Sequence, residues 1–216
     1  MSAIWRSFDA PQLSDDLRDG LRRRLRELGG LAMLGVTAGL GVALATWSAQ
    51  DPSLTHATNG PIRNLAGLPG AVAADLMMQI FGLASISLIA PVAVWGWRLL
   101  SRRSIDRERL RLSAWLIGIF AAAMFASCLP PTPGWPLPTG LGGVLGDMLL
   151  RLPALMLGPP LTMASRVAVG SLAALVTFTC LFAASGFGLK ARSDGEMDGE
   201  VDDEGDTGET RGWFLG

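Results

Sequence analysis

Four long apolar runs, separated by charged or proline-rich segments, dominate the 216-residue sequence. The first, Leu28–Trp47, lies between Glu27 and Asp51 without a charge. The second, Leu76–Trp97, is bounded by Asp75 and Arg98. The third, Leu112–Leu129, ends where Pro130, Pro131 and Pro133 stop any helix. The fourth covers Val167–Leu189 and can begin as early as Leu161, just after Pro159 and Pro160. Crossing ~30 Å of hydrocarbon at 1.5 Å per residue takes about 20 residues. The pattern therefore predicts spans at about 28–47, 76–97, 112–129 and 162–189. A further apolar piece, Leu141–Leu157, is shorter, carries Asp147 and Arg151, and is broken by Pro153. It reads better as a helix at the membrane surface than as a fifth span. Asp147 and Arg151, four residues apart, would share a face and could pair. The expected fold is an all-α membrane protein with four transmembrane helices and a short extra surface helix in the second outer loop.

Composition agrees. Half the residues are hydrophobic and 17% are charged, against about 25% charged in soluble domains. The net charge of −1 hides a split. The first 192 residues hold 17 Lys+Arg against 10 Asp+Glu, whereas residues 193–216 hold one Arg against nine acids. Three segments follow: a basic N-terminal segment (1–27), a four-span membrane domain (28–190) and an acidic linker (191–216). The linker alternates acids with glycine and is expected to be disordered, because it has too little apolar surface to bury. Its terminal Trp213-Phe214-Leu215 reads either as a short contact motif or merely as where the chain stops.

The Lys and Arg positions give an orientation. Six precede span one, six lie between Arg98 and Arg111, and Lys190, Arg192 and Arg211 follow span four. Only Arg63, Arg151 and Arg166 fall on the other side. The positive-inside rule then puts both termini and the middle loop in the cytoplasm. The loops at about 48–74 and 130–160 face outward. Arg22–Arg24 before an apolar run ending Ala43-Leu44-Ala45 has elements of a signal peptide. The charged lead and the run of about 20 residues both exceed signal dimensions, so an uncut anchor is expected.

Little catalytic chemistry is available. The predicted span cores hold no Asp, Glu, Lys, Arg or His, which argues against proton or ion coupling. Arg166 is the nearest exception and can snorkel to the outer interface. Lys190 is the single lysine and sits in no phosphate-binding loop, and His56 is the single histidine, in a polar loop. No carboxylate pair occupies an apolar pocket. No catalytic, cofactor-binding or metal-binding residue is therefore assigned, and the chain is not expected to be an enzyme. Cys128 and Cys180 fall at different depths and read as small apolar fillers. The arginines between spans two and three need only an anionic inner leaflet as partner, so direct nucleic-acid binding is not expected.

Helix packing has more support. Gly35, Gly39 and Ala43, and again Gly118, Ala122 and Ala126, repeat small residues every fourth position. That spacing allows close helix approach within a bundle or between copies. Trp47, Trp95, Trp97, Trp115 and Trp135 fall near the predicted interfaces, where indoles prefer to sit.

The outer loops carry a more particular pattern. Trp47-Ser48-Ala49-Gln50-Asp51-Pro52-Ser53 is followed by Asn64-Leu65-Ala66-Gly67 and Gly70-Ala71-Val72-Ala73-Ala74-Asp75-Leu76. Phe81-Gly82, Trp95-Gly96-Trp97-Arg98 and Gly142-Gly143-Val144-Leu145-Gly146-Asp147 come after. In this order on a four-span frame, the series resembles the N-terminal membrane domain of the FtsK/SpoIIIE DNA translocases, over roughly residues 25–190. The resemblance implies a septal anchor in the bacterial inner membrane that recruits other division proteins and forms homo-oligomers. In that family a linker joins this domain to a hexameric ATP-driven DNA motor. This sequence stops inside what would be the linker, so ATP hydrolysis and DNA translocation do not carry over. The motif residues also have structural readings. Asp51 could bond the backbone two residues on, Pro52 would fix a turn, and Asp75 would cap span two. Gly67 and Gly70 would permit turns or close approach. Ser53, Asn64, Gly142, Gly143 and Gly146 complete the set. Structural and partner-binding roles stand as equal alternatives. A small polytopic transporter or channel is the competing function.

Overall fold

The computed structural model describes residues 10–55, 57–58, 60–101, 107–158 and 161–186. His56, Lys190, the acidic linker and Trp213-Phe214-Leu215 lie outside the described residues. Six α-helices are present among the described residues: α1 (Ala10–Ala45), α2 (Gly67–Phe81), α3 (Ser85–Leu100), α4 (Glu108–Cys128), α5 (Gly143–Leu157) and α6 (Met163–Ala184). A single 3₁₀ turn, Gly82–Ala84, joins α2 to α3. Four stretches are long and apolar enough to cross a membrane: Leu17–Ala45, Gly67–Leu100, Glu108–Cys128 and Met163–Ala184.

The first span is one unbroken helix that extends well below its apolar run. Residues 17–27 continue the helix with i,i+3 and i,i+4 pairs, Asp19–Arg22, Arg23–Glu27 and Arg24–Glu27. The second span differs from expectation. It starts at Gly67, nine residues earlier than the charge-bounded run predicts, and it is broken. Gly82 adopts φ 58°, which a residue with a Cβ rarely takes, and the Leu83 N–H donates to the Leu141 carbonyl (2.8 Å) instead of to its own helix. Ser85 Oγ restores the balance by donating to the Gly82 (2.7 Å) and Met77 (2.9 Å) carbonyls.

Prolines inside helices are handled in the same way. Pro91 leaves the Ser87 carbonyl without its helical donor. The Trp115 indole N–H fills that place at 3.0 Å. Trp95 is buried edge-on against Trp115 (5.4 Å, 73°), and its N–H donates to the Ala184 carbonyl at the end of α6 (2.7 Å). These two tryptophans therefore tie the helices together near the end of α6, and Trp97 is exposed. Pro153 does not break α5, which continues one turn beyond it to Leu157. At ~22 Å long, α5 is too short to span. α6 opens at Met163 after Thr162, whose hydroxyl accepts from the Ser165 N–H (3.2 Å).

The interior is made of small residues and the large apolar side chains face outward. Ala43, Ala71, Ala74, Ala84, Ala121, Ala122, Ala123, Ala126, Ala173 and Ala184 are buried, whereas every span exposes leucines and other large apolar side chains. That distribution suits lipid, where close backbone approach replaces the hydrophobic effect as the packing force. α1 packs mainly on α3 and α4 on α6. The α1–α3 crossing is so close that a Cβ on Gly30 would lie 2.8 Å from the Gly96 carbonyl oxygen. On α4–α6, Gly118 faces Leu181 and Cys180, and Cys128 faces Gly170. The two cysteines thus mark sites ten residues apart along α6.

Both ends of the bundle are defined. Gly30, Gly96, Arg98, Arg111 and Gly186 gather at one, which also holds the end of α3 and the start of α4. The other holds the loops 46–66 and 129–142 together with α2 and α5.

Candidate functional site

The end built from α2, α5 and the two long loops collects nearly all the motif residues. Two networks form there, joined at the break in the second span.

The first ties the end of α1 to the start of α2. Asp51 is buried, and its two carboxylate oxygens accept from the Arg63 N–H (3.0 Å) and Asn64 N–H (2.9 Å). These donors lie 12 and 13 residues ahead, so Asp51 closes the whole loop and not the local turn expected from its spacing. Asn64 is buried too. Its side-chain amide donates to the Ala43 carbonyl (2.8 Å) and its oxygen accepts from the Ala66 N–H (3.0 Å). Gly67, at φ 68°, donates its N–H to the Asn64 carbonyl (3.0 Å) and starts α2. A Cβ on Gly70 would collide with Ala66 and lie 2.9 Å from the Asn64 amide oxygen and 3.3 Å from Ala43. Pro52 is half-buried beside Asp51.

Asp75 does not cap the second span. It sits in the middle of α2, where its carboxylate accepts from Thr55 Oγ1 (2.8 Å) and Gln79 Nε2 (2.8 Å). The charge of Asp75 therefore does not mark the edge of the span. Lateral donors from the preceding loop and the next helical turn satisfy the carboxylate, so the helix passes through it. Ser53 joins through Thr55, its hydroxyl 3.1 Å from Thr55 Oγ1. Trp47 packs on Trp135 from the other loop (6.3 Å between centroids, 43°).

The second network seats α5 on α4. A Cβ on either Gly142 or Gly146 would overlap the Ala123 carbonyl oxygen and lie 2.5 Å from Ser127 Oγ. α5 therefore begins backbone-to-backbone on α4. Gly143, at φ 66°, faces the Gln79 and Ile80 carbonyls at the end of α2, and a Cβ there would lie 2.7 and 2.6 Å from them. Asp147 Oδ1 accepts from Ser127 Oγ (2.7 Å) and Oδ2 from the Gly140 N–H (2.9 Å). The Asp147–Arg151 pair expected from i,i+4 spacing does not form: Asp147 is turned toward Ser127 and Gly140 instead.

The small-residue stripes divide. Gly118 contacts Leu181, Ala122 and Ala126 are buried in α4, and Ala43 is buried against Gly70. Gly35 and Gly39 have nothing within 4 Å and face away from the bundle; Gly30 makes the α1–α3 crossing instead. Several participants carry no motif signal of their own: Thr46, Thr55, Gln79, Ser127 and Gly140. Thr46 Oγ1 accepts from the Leu65 N–H (3.1 Å). A polar residue inside an apolar run, as at Gln79 and Ser127, is the one trace that sequence offers. At the far end, Arg111 is buried in the first turn of α4, not held in a loop. Arg98 Nη1 donates to the Ser185 and Gly186 carbonyls (3.4 Å each), which suits a cation at a helix C-terminus. No group of three or more potential metal ligands exists among the described residues.

A family model described as the 4TM region of DNA translocase FtsK/SpoIIIE matches residues 22–192. The chain belongs to that family. The proteins it resembles include the DNA translocase FtsK of Bradyrhizobium diazoefficiens, 46% identical over 205 residues, 94% of this chain and 25% of that protein. The FtsK of Brucella suis is 45% identical over 175 residues, 80% of this chain and 20% of that protein. The FtsK of Caulobacter vibrioides is 32% identical over 168 residues, 76% of this chain and 20% of that protein. No solved structure matches significantly. The chain spans only a fifth to a quarter of the length of these relatives, and what it shares with them is the four-span region. With its four membrane-capable stretches, it is a multi-pass membrane protein of the FtsK/SpoIIIE type.

Proposed function

We propose that the chain is the inner-membrane anchor and assembly platform of a division-associated DNA translocase, placed at the septum. The observation that carries this reading is the convergence of the motif residues into one cap at one end of a four-span bundle of this family. The cap fixes the described residues of 46–66, through Asp51, Asn64 and Thr55, and those of 129–142 in a defined shape, as a surface meant for other division proteins requires. In this reading the cap faces outward and both termini are cytoplasmic. The arginines support that orientation: Arg98, Arg107, Arg109 and Arg111 gather at the opposite end, along with the charged half of α1. The boundaries proposed for the segments stay at 1–27, 28–190 and 191–216, with the third as a linker toward the motor. Homo-oligomers would form through faces unused inside the bundle, of which the Gly35–Gly39 face is one. Direct contact with nucleic acid is not part of this role. The interior of buried alanines and glycines packed on backbone favours a solid bundle over a transport path.

Complementation tests the reading. In cells whose own FtsK membrane region is deleted and whose motor is retained, the 216-residue chain should restore septation. Unrestored filaments, at normal membrane levels of the chain, would count against it.

A further inference from the structure

A cavity of about 590 Å³ opens at the cap end between α4, α5 and α6, beside the Ser127–Asp147–Gly140 network and away from the Asp51–Asn64 one. Its polar lining includes Arg151 from α5, Arg166 from the first turn of α6, Ser127 and Asp147. Asp147 already spends both oxygens on Ser127 and Gly140. Neither guanidinium has a carboxylate within 4.0 Å among the described residues; the pairs at Asp19–Arg22, Arg23–Glu27 and Arg24–Glu27 lie at the other end. Two guanidinium groups and one carboxylate therefore line the cavity, an excess of one positive charge. The N-terminus of α6 adds its partial positive charge.

The rest of the lining is apolar, including Leu129, Leu150 and Leu161. Cys128 ends α4 and Met163 begins α6, so the cavity lies where two spans leave the hydrocarbon. On α5, residues 147, 150, 151 and 154 face the cavity. Val144, Met148, Leu152 and Leu155 form the neighbouring stripe and are exposed, a face suited to acyl chains. We propose that this cavity binds the phosphate of an anionic phospholipid headgroup, with Arg151 and Arg166 as its ligands. Guanidinium groups bind phosphate oxygens in paired, charge-assisted hydrogen bonds. The apolar lining and the exposed α5 stripe favour a lipid over a free phosphate, which shares the same chemistry. The inference does not depend on the division role, and it holds for either orientation of the cap.

The 216-residue chain, purified in detergent, is offered phosphatidylglycerol or phosphatidylcholine with matched acyl chains. Native mass spectrometry counts the lipid retained, and the thermal midpoint is read in parallel. Phosphatidylglycerol should be retained and should raise the midpoint, and phosphatidylcholine should do neither. The double variant Arg151→Gln/Arg166→Gln should retain phosphatidylglycerol at least about tenfold more weakly. Arg63→Gln, an exposed arginine outside the cavity, should change retention little. Both single variants are measured with circular dichroism, so that they decide the matter if the double variant does not fold. Equal retention of the two lipids, or wild-type retention by folded cavity variants, overturns the proposal. A midpoint rise from glycerol 3-phosphate or inorganic phosphate equal to that from phosphatidylglycerol would assign the cavity to a soluble anion and overturn the lipid.

Discussion

Replacing Gly146 with alanine separates two opposed expectations for a helical glycine. In an ordinary helix the change stabilises by up to about 1 kcal/mol, because alanine restricts the unfolded chain. Here the added methyl would overlap the Ala123 carbonyl oxygen and lie 2.5 Å from Ser127 Oγ, whereas ordinary contact begins near 3.4 Å. α5 must then retreat by about 1 Å or strain locally, and overpacking of this kind costs about 1–3 kcal/mol. A retreat of that size also stretches the Ser127–Asp147 bond from 2.7 Å and the Gly140–Asp147 bond from 2.9 Å toward breaking. Losing hydrogen bonds to a charged group costs about 1.5–3 kcal/mol more. After the helix-propensity gain, the net destabilisation is about 2–5 kcal/mol. A thiol-reactive fluorophore suits the assay, because Cys128 is buried and free and reacts as the bundle opens. At ~2–4 °C per kcal/mol for a chain of this size, the midpoint should fall by at least about 4 °C. Gly35→Ala is the control: nothing lies within 4 Å, so its midpoint should hold or rise. If Gly146→Ala matches Gly35→Ala, the backbone-to-backbone seating of α5 is wrong.

Other substitutions probe the remaining contacts. Gly30→Ala places a methyl 2.8 Å from the Gly96 carbonyl oxygen and 2.9 Å from the Leu100 nitrogen, and should lower the same midpoint through about 1–3 kcal/mol of overpacking. Asp51→Ala strands the Arg63 and Asn64 N–H groups and should cost about 2–5 kcal/mol, with Asp51→Asn milder because one acceptor oxygen survives. Trp115→Phe leaves the Ser87 carbonyl unpaired below Pro91 and should cost about 1–3 kcal/mol by the same measurement. A cysteine at Gly60 should react with a membrane-impermeant maleimide added outside intact inner-membrane spheroplasts; protection there until lysis would reverse the orientation.

What was legible in the sequence was the arrangement that length and charge impose. Runs of about 20 apolar residues must be helices in lipid, so four membrane stretches and the short α5 were readable. The motif glycines and acids marked the end of the molecule where the chain needs special geometry. Their partners were not readable, because the donors come from distant positions. Asp51 reaches Asn64, Asp147 reaches back to Ser127 and Gly140, and Asp75 is held by Thr55 and Gln79. Local rules gave Asp51 and Asp75 the nearest backbone and Asp147 the arginine one turn on, and the fold gave each of them other partners. The break at Gly82 was hidden for a similar reason. It depends on the Leu141 carbonyl, which arrives from a loop some 60 residues later. Gly30 and Gly96 escaped because helical spacing favoured Gly35 and Gly39, while the direction in which α1 faces α3 is fixed by tertiary packing.

The septal role is tested most directly by imaging a fluorescent fusion of the 216-residue chain in dividing cells with an assembled division ring. A midcell band is expected that forms without any motor domain attached and persists when the fusion is expressed at low level. Uniform labelling of the envelope in the same cells, with the ring in place, would contradict it.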